Sequence, residues 1–370
     1  MAKIKKLKTL TKEELAKKYP ESYLVIDLED ELAHVPRLPS RNLGVNYMLG
    51  GGIPYGKLVE VYGYESTGKS LLAYDFGYSA QQLGGVLLII DAEDAFEINW
   101  AKQNNLDPKR TIILPSNSIE IAGDWLRDQI KYWRNILVNN EPICLIGDSI
   151  AEFESDANID ADSVGAKAEM GNRAKALGRL YRTRGRLLRR AGVCTIMINQ
   201  VRKKLGATMF ESSETTPGGD ATKFKASIRI SLTRSTQIKG RIVDGKFKED
   251  KEKGHKVGQN IIVRTDKNKI APPRPSIKTE VYFLPDKWGY VGYNRYIGIE
   301  DVLIKEKIIT KKASRYYFRG KMIANGEDNF IAALHNKPKL RGKLVRRSSI
   351  NTISKTQALL DSMKKNHYPI

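Results

Sequence analysis

Residues 63–70 of the chain read Gly63-Tyr64-Glu65-Ser66-Thr67-Gly68-Lys69-Ser70, and they fit the phosphate-binding pattern G-x-x-x-x-G-K-[ST]. The two glycines let such a loop turn its backbone N–H groups toward a triphosphate. Lys69 is placed to reach the β- and γ-phosphates, and the Ser70 hydroxyl is placed to bind Mg²⁺. The loop therefore predicts a nucleotide site with ATP and Mg²⁺ as its cofactors.

The residues on either side of the loop give it the setting that phosphate binding requires. Residues 57–62 have the apolar run of a β-strand, and residues 71–83 continue as a helix interrupted only by Gly77. Strand, glycine loop and helix in this order are the context in which the motif binds phosphate. The alternative is a chance match in a turn, which would not need that order.

Apolar runs alternate with helical stretches after the loop. Strands are predicted at 86–90, 112–114, 143–146 and 193–198, and a helix at 119–138. Continuous apolar runs are typical of strands buried on both faces, and their alternation with helices favours a mostly parallel α/β sheet. Two further runs, 228–232 and 261–264, alternate apolar and polar residues and are predicted to be edge strands.

Polar residues follow three of the predicted strands. They are Glu93, Asp148 and Gln200. Ligands of parallel sheets lie at the carboxyl ends of the strands, so the three side chains are candidates for one site. Asp148 is predicted to hold Mg²⁺, Glu93 to act as general base, and Gln200 to sense the γ-phosphate. For each residue alone, the alternative is an ordinary solvated strand end.

One predicted helix, residues 171–190, carries a row of cations on one face. The formal net charge is +21, which indicates a polyanionic partner such as nucleic acid. Cations recur every three or four residues on one helical face: Lys175, Arg179, Arg182, Arg186 and Arg190. No acidic residue lies among them, so the face is predicted to contact phosphates. A solvated charged face is the alternative.

Two long segments without a helix or strand pattern flank this basic helix. They cover residues 152–171 and 201–219, and loops of this length are functional or disordered. The second segment contains Arg202, Lys204, Gly218 and Gly219 and is a candidate functional loop.

Composition limits the compartment and the chemistry. No run of 18 apolar residues occurs, and no apolar stretch follows the basic N-terminus, so we expect no membrane span, no signal peptide and a cytoplasmic protein. Both cysteines, Cys144 and Cys194, lie in apolar strands and are predicted to be buried free thiols. Two cysteines and four scattered histidines make a Cys/His metal site an unfavourable interpretation.

The chain is predicted to have four parts. Residues 1–36 form a small N-terminal element with a helix beginning near Thr11, and they must pack on the body or on a neighbouring subunit. Residues 37–297 form the ATPase core with its DNA-binding loops. Residues 298–338 form a small α+β domain with a hairpin at 316–321. Residues 339–370 carry eight Lys or Arg and one acid, and they are predicted to be a basic tail.

Taken together, these residues resemble the bacterial RecA recombinase family from about residue 38 to about residue 338. The resemblance is carried by the stretches 60–70, 90–93, 198–202, 214–219, 223–224 and 267–271. A plain P-loop kinase would share only the first. The resemblance implies a RecA-type P-loop ATPase core with small N- and C-terminal domains. It also implies helical filaments on single-stranded DNA, pairing with a homologous duplex, and strand exchange.

The resemblance also implies roles for single residues. Glu93 corresponds to the catalytic carboxylate, and Gln200 to the residue that couples ATP to DNA binding. Lys267 and Lys269 correspond to lysines that reach the ATP of a neighbouring subunit, and Phe224 to a residue that packs into it. Positions implied in DNA binding are Met170 and Gly171 of a first loop, residues 201–217 of a second loop, and Lys175 and Arg182.

Four departures from the family pattern point to a divergent member, such as one encoded by a phage or mobile element. Tyr64 replaces the usual proline, Trp100 lies where a tyrosine near the adenine is common, the second loop is one residue longer, and the tail is basic instead of acidic. Two other functions remain open from the sequence. One is a hexameric RecA-fold helicase or motor, and the other is a DNA-binding ATP switch that hydrolyses poorly.

Overall fold

The structure is a computed structural model of the chain, and a ten-stranded sheet forms its centre. The structure describes residues 36–137, 139–159, 166–203, 214–218, 220–243, 246–250, 252–272 and 276–348. The chain divides into two units, 1–36 and 37–370, and the elements below all belong to the second. The predicted N-terminal element, with its helix near Thr11, lies outside the described residues except for Pro36.

The central sheet contains the strands β3 (Leu58–Gly63), β4 (Val86–Asp91), β5 (Thr111–Leu114), β6 (Ile143–Asp148), β7 (Cys194–Gln200), β10 (Ile228–Val243), β11 (Lys246–Glu249), β12 (His255–Asn268), β13 (Ile277–Tyr282) and β14 (Gly292–Tyr293). Their order across the sheet is β14-β13-β12-β10-β3-β7-β6-β4-β5, with β11 paired to β10. The pairs from β5 through β10 are parallel, whereas β12, β13 and β14 follow antiparallel. The predicted mostly parallel α/β fold is confirmed.

Helices cover both faces of this sheet. Their bounds are α1 (Leu43–Leu49), α2 (Lys69–Gln82), α3 (Ile98–Gln103), α4 (Ile119–Ile136), α5 (Asp156–Ile159), α6 (Ala166–Arg190) and α7 (Asp220–Lys225), with a 3₁₀ turn at Pro108–Arg110. Within β4, Leu87 and Ile89 join the core under α2, while Leu88 and Ile90 join the core under α4 and α6. The sheet therefore separates two hydrophobic cores, as strands buried on both faces require.

The prediction of edge strands at 228–232 and 261–264 is wrong for the sheet as a whole. β10 lies between β3 and β12, and Ile228 and Ile230 are fully buried. β10 and β12 together form a long antiparallel ribbon that continues past the end of β3, and β11 folds back onto it. The alternating polar residues suggested an exposed face, but Ser231 is buried and Arg229 is paired with Glu60.

The C-terminal part contains a small antiparallel sheet. Its elements are α8 (Ile299–Lys305), β15 (Thr310–Lys312), β16 (Arg315–Phe318), β17 (Lys321–Asn325), α9 (Glu327–Asn336) and α10 (Pro338–Val345). The predicted hairpin at 316–321 is present as the turn between β16 and β17. The boundary drawn at residue 339 divides α10, whose Leu344 and Val345 are buried, so the folded chain continues past it. Residues 349–370 of the predicted tail lie outside the described residues.

Among the described residues, four short strands lie outside the central and C-terminal sheets. β1 (Arg37–Leu38) pairs with β2 (Ile53–Pro54), and β8 (Arg202–Lys203) pairs with β9 (Glu214–Thr215), both antiparallel. The second pair forms the base of the predicted loop 201–219. Most of that loop, from residue 204 to residue 213, is outside the described part of the chain.

The two cysteines are neighbours in the centre of the sheet. Cys144 of β6 and Cys194 of β7 are register partners, both are fully buried, and both are free thiols, as predicted. Burial raises the pKa of both thiols far above the ordinary value. Over the described part of the chain, none of the helices is both long and apolar enough to span a bilayer.

Candidate nucleotide site and nucleic-acid face

The loop between β3 and α2 has the backbone geometry of an anion site. Gly68 has φ 83° and immediately precedes α2, and because it has no side chain, the first N–H groups of the helix remain uncapped. Uncapped N–H groups at a helix N-terminus attract phosphate. Gly63 is also required by packing, since a Cβ there would lie 2.4 Å from the carbonyl oxygen of Leu232.

Lys69 is held inside this loop. Its Nζ donates to the carbonyl oxygens of Gly63 at 3.2 Å and Tyr64 at 2.8 Å, and the residue is buried. Burial lowers the pKa of Lys69, and the nearby carboxylates of Asp148, Glu93 and Glu65 oppose this shift. An ammonium group bound by neutral carbonyls is well suited to donate to a phosphate oxygen in their place, because the anion would offset the cost of burying the charge.

Ser70 and Asp148 meet beneath the loop. The Ser70 Oγ donates to Asp148 Oδ2 at 2.7 Å, although the two residues are 78 positions apart. Burial raises the pKa of Asp148 to about 6, and Glu93 adds to the shift, while the Ser70 hydrogen bond and Lys69 oppose it. A hydroxyl and a carboxylate in contact are oxygen ligands of the kind that Mg²⁺ takes, so these two residues fit the metal.

Glu93 lies where the ends of β4, β6 and β7 meet. Its Oε1 accepts hydrogen bonds from Ser149 Oγ at 2.5 Å and from Gln200 Nε2 at 3.1 Å. The buried carboxylate of Asp91 holds the loop that carries Glu93, because it accepts from the N–H groups of Ala95 and Phe96. Glu93 and Gln200, predicted separately from two strand ends, are therefore in direct contact.

Two residues from distant parts of the chain also hold the loop, and sequence reasoning missed both. Gln259 Nε2 of β12 donates to the Ser66 carbonyl oxygen at 2.6 Å, and the Tyr293 hydroxyl of β14 donates to that of Gly68 at 3.3 Å. They follow the loop by about 190 and 225 residues, so no local pattern connects them to it. Trp100, the predicted adenine neighbour, lies half-buried on α3 against the core under α2.

Lys267 and Lys269 lie beside the amino-terminal end of β3, whereas the loop follows its carboxyl end. Lys269 N donates to the Ser227 carbonyl oxygen, and Ser227 N donates to that of Leu58, the first residue of β3. In the strand register, Lys267 of β12 lies opposite Arg229 of β10, which lies opposite Glu60 of β3. Lys267 is therefore two strands across and three residues along from Gly63, or about 14 Å at ordinary strand spacings. Its Nζ donates to the carbonyl oxygens of Lys223 at 2.6 Å and Phe224 at 3.2 Å, and the Phe224 side chain is 74% exposed.

The cationic face of α6 is exposed, as its spacing predicted. The five members point away from the sheet, while Leu177, Leu180 and Tyr181 are buried against the core on the other side. Cations of the flanking face have carboxylate partners, since Arg173 pairs with Glu154 and Arg184 with Asp124. Among the described residues, no carboxylate lies within ion-pair distance of Lys175, Arg179 or Arg182, which leaves their charge available to an anion.

The other predicted DNA-binding residues do not all lie in exposed loops. Met170 and Gly171 belong to α6, which begins at Ala166 and therefore takes up part of the predicted first loop. Arg202 is exposed near α6, where its charge helps to lower the pKa of Arg173 after the larger effect of burial. Gly218 is buried, and a Cβ there would lie 2.6 Å from Ile150. Lys204 and Gly219 lie outside the described residues.

We expect Asp148→Asn to stabilise the metal-free protein at pH 8. A carboxyl whose pKa is raised in the folded state favours folding at low pH and loses that contribution as pH rises through about 6. The neutral amide avoids this loss, and for a shift of this size the gain is about 1–3 kcal/mol. In EDTA, the thermal midpoint of the variant should therefore exceed that of the wild type at pH 8, and the difference should shrink as pH falls and nearly vanish near pH 4, the ordinary pKa of an aspartate. An equal gain at both pH values would contradict the assignment.

Comparisons with known proteins give one consistent result. Residues 5–285 match the family model described as RecA N-terminal domain. The chain is 28% identical over 315 residues to the protein RecA of Geobacter sulfurreducens, covering 84% of each chain. It is 30% identical over 337 residues to that of Cytophaga hutchinsonii, covering 90% of this chain and 87% of the relative. For Solidesulfovibrio magneticus the values are 29% over 324 residues, with 86% and 83% covered.

Proposed function

This chain belongs to the RecA family, and from that premise we propose that it is an ATP-dependent DNA recombinase. It forms helical filaments on single-stranded DNA, hydrolyses ATP in response to that DNA, and pairs the bound strand with a homologous duplex. The observation that carries the proposal is the contact of Glu93 with Gln200 beside the Ser70–Asp148 pair, since it joins three strand ends and the phosphate loop in one site.

The nucleotide site divides the work among these side chains. The loop 63–70 and Lys69 would bind the phosphates, Ser70 and Asp148 would hold Mg²⁺, and Trp100 would pack on the adenine. Bound Mg²⁺ supplies positive charge to the phosphate oxygens. Glu93 accepts the proton of the attacking water, and its contact with Gln200 makes that glutamine a sensor of whether the γ-phosphate is present. Lys267 and Lys269 complete the site of a neighbouring subunit.

DNA is bound by the cationic face of α6 together with the loop based on β8 and β9. Lys175, Arg182 and Arg202 are exposed cations of this surface, and Arg202 lies close enough to Arg173 to affect its pKa. We include Met170, Gly171, Lys204, Gly218 and Gly219 as members of the two DNA-binding segments. Because the charge faces the phosphate backbone, binding is independent of base sequence.

Electron microscopy of the protein with single-stranded DNA and a slowly hydrolysed ATP analogue tests this function. Continuous helical filaments are the expected result. Closed rings would instead identify a hexameric motor, and isolated particles would identify an ATP switch. Strand exchange between a circular single strand and a homologous linear duplex then separates a recombinase from a DNA-coating protein, because only the former yields joint molecules.

Affinity for single-stranded DNA should fall steeply with salt, and the double variant Lys175→Ala/Arg182→Ala should flatten that dependence. Each phosphate contact contributes about −0.7 to the slope of log K against log [salt] on single strands, so losing two contacts changes the slope by about 1.4. Fluorescence anisotropy between 50 and 300 mM salt measures it. The control, Lys102→Ala/Lys109→Ala, removes the same charge from exposed residues away from α6. An equal change in both variants would mean that the α6 face is only solvated.

A further inference from the structure

Glu60 is a fully buried carboxylate in the middle of β3, and both of its oxygens have a partner. Asn199 Nδ2 donates to Oε1 at 2.9 Å, and Arg229 Nε donates to Oε2 at 2.5 Å. A buried charge is costly unless it is paired, so this three-residue arrangement fixes β7, β3 and β10 relative to one another. Neither the phosphate loop nor the cationic face includes Glu60, so phosphate and DNA binding do not account for it.

One arm of this cluster reaches the nucleotide site. Asn199 Oδ1 accepts from the backbone N–H of Gln200 at 3.0 Å, and the side chain of Gln200 contacts Glu93. Asn199 Nδ2 also donates to the carbonyl oxygen of Pro217 at 3.1 Å, at the end of the second loop. Asn199 therefore connects Glu60 both to Gln200 and to the end of that loop.

On its other side, the cluster leads through Arg229 to Lys267. The guanidinium of Arg229 lies 4.4 Å from the ring centroid of Tyr62, and the Tyr62 hydroxyl donates to Asp266. Asp266 precedes Lys267 on β12, and Lys267 is the register partner of Arg229. A cavity of about 340 Å³ borders the cluster and is lined by Tyr62, Lys223 and Arg229, which gives these side chains space to rearrange.

We propose that Glu60 and Arg229 are positioning residues that couple the subunit's own nucleotide site to the lysines it presents to the next subunit. This rests on the proposed function, because it requires Lys267 to act in a neighbouring site. The state of Gln200 sets the position of Asn199, and Glu60 transmits that position to Arg229 and β12. ATP sites along a filament are then linked through the body of each subunit, and hydrolysis responds cooperatively to ATP concentration.

The chain contains a second cluster of the same construction, and it serves as a matched control. Arg41 Nε donates to the fully buried Asp75, and the Arg41 guanidinium lies 4.6 Å from the ring centroid of Tyr78. Arg41 and Arg229 thus have the same three parts: a buried carboxylate, a guanidinium and a tyrosine ring. No contact described for the Arg41 cluster leads to Gln200 or to β12.

The test compares Arg229→Gln with Arg41→Gln in the full chain on single-stranded DNA, measuring ATPase rate against ATP concentration. Both variants should lower the thermal midpoint. Arg229→Gln alone should reduce the Hill coefficient for ATP toward 1 and lower kcat about tenfold or more, while nucleotide affinity of the DNA-free protein stays within about twofold. Arg41→Gln should keep the wild-type Hill coefficient.

Milder variants cover the case in which Arg229→Gln does not fold. Tyr62→Phe keeps the ring beneath Arg229 and removes only the hydroxyl bond to Asp266, and Tyr78→Phe is its control. Tyr62→Phe should lower the Hill coefficient, whereas Tyr78→Phe should not. Equal behaviour of the matched variants, or a wild-type Hill coefficient of 1, overturns the coupling while leaving the recombinase proposal standing. Loss of filaments or of DNA-stimulated hydrolysis in the wild type would instead overturn the proposed function.

Discussion

Lys69→Ala is expected to abolish ATP turnover and to weaken nucleotide binding strongly. The substitution removes the ammonium that now bonds the Gly63 and Tyr64 carbonyls, so the phosphates lose their nearest cation. Glu93→Gln is expected to behave differently: nucleotide binding persists, and hydrolysis falls about 100- to 10,000-fold, because an amide cannot accept the proton of the attacking water. Binding of a fluorescent ATP analogue, measured beside phosphate release, separates the two effects.

The control for Glu93→Gln is Asp94→Asn, which makes the same acid-to-amide change at the next position. Asp94 is exposed and has φ 51°, a conformation that asparagine tolerates well. We expect Asp94→Asn to retain turnover within a few-fold. If Glu93→Gln and Lys69→Ala lost nucleotide binding equally, or if Asp94→Asn lost hydrolysis as well, Glu93 would not be the general base.

Mixing two inactive variants should partly restore DNA-dependent ATP hydrolysis. Lys69→Ala keeps its Lys267 and Lys269 but has a defective phosphate loop, and Lys267→Ala/Lys269→Ala has the opposite defect. In their own subunit, the lysines lie at the opposite end of the strands from the loop, so they are better placed to reach the loop of a neighbour. Some interfaces in a mixed filament then join an intact loop to intact lysines.

A second mixture controls for trivial recovery. Combining Lys267→Ala/Lys269→Ala with the triple variant Lys69→Ala/Lys267→Ala/Lys269→Ala leaves no interface with both intact parts, and it should stay inactive. At equal amounts of the two parents, about a quarter of the interfaces in the first mixture are complete if subunits assemble at random, and each behaves as an arginine-finger type of site. If both parents assemble on DNA and the first mixture remains as inactive as the second, the shared site does not exist.

The sequence predicted those parts of the structure that have a local signal. The phosphate loop combines fixed spacing with a strand before it and a helix after it, and the buried strands are continuous apolar runs. The convergence of Glu93 and Gln200 followed from a general rule, because parallel strands present their carboxyl ends at one edge. The cationic face of α6 followed from helical periodicity alone.

Other parts depended on partners far away in the chain. Arg229 and Ser231 made β10 look half-exposed, and the buried Glu60 explains why Arg229 occupies an interior strand. The start of α6 was placed too late because its first turns lie beside a segment without a clear pattern. Gln259 and Tyr293 hold the phosphate loop from strands nearly 200 residues or more downstream, and the identity of neither residue announces that contact.

The adjacent thiols of Cys144 and Cys194 are an internal probe of how often the centre of the sheet opens. Both are fully buried in the core under α2 and have raised pKa values, so a thiol reagent can react only after the packing over this face of β6 and β7 opens. The labelling rate in solution therefore measures how often the middle of the sheet opens, with no probe added and no residue changed. Nucleotide binds at the ends of these same strands, so it should suppress their opening and slow the labelling. At a nucleotide concentration of a hundred times its Kd, the labelling rate should fall about a hundredfold.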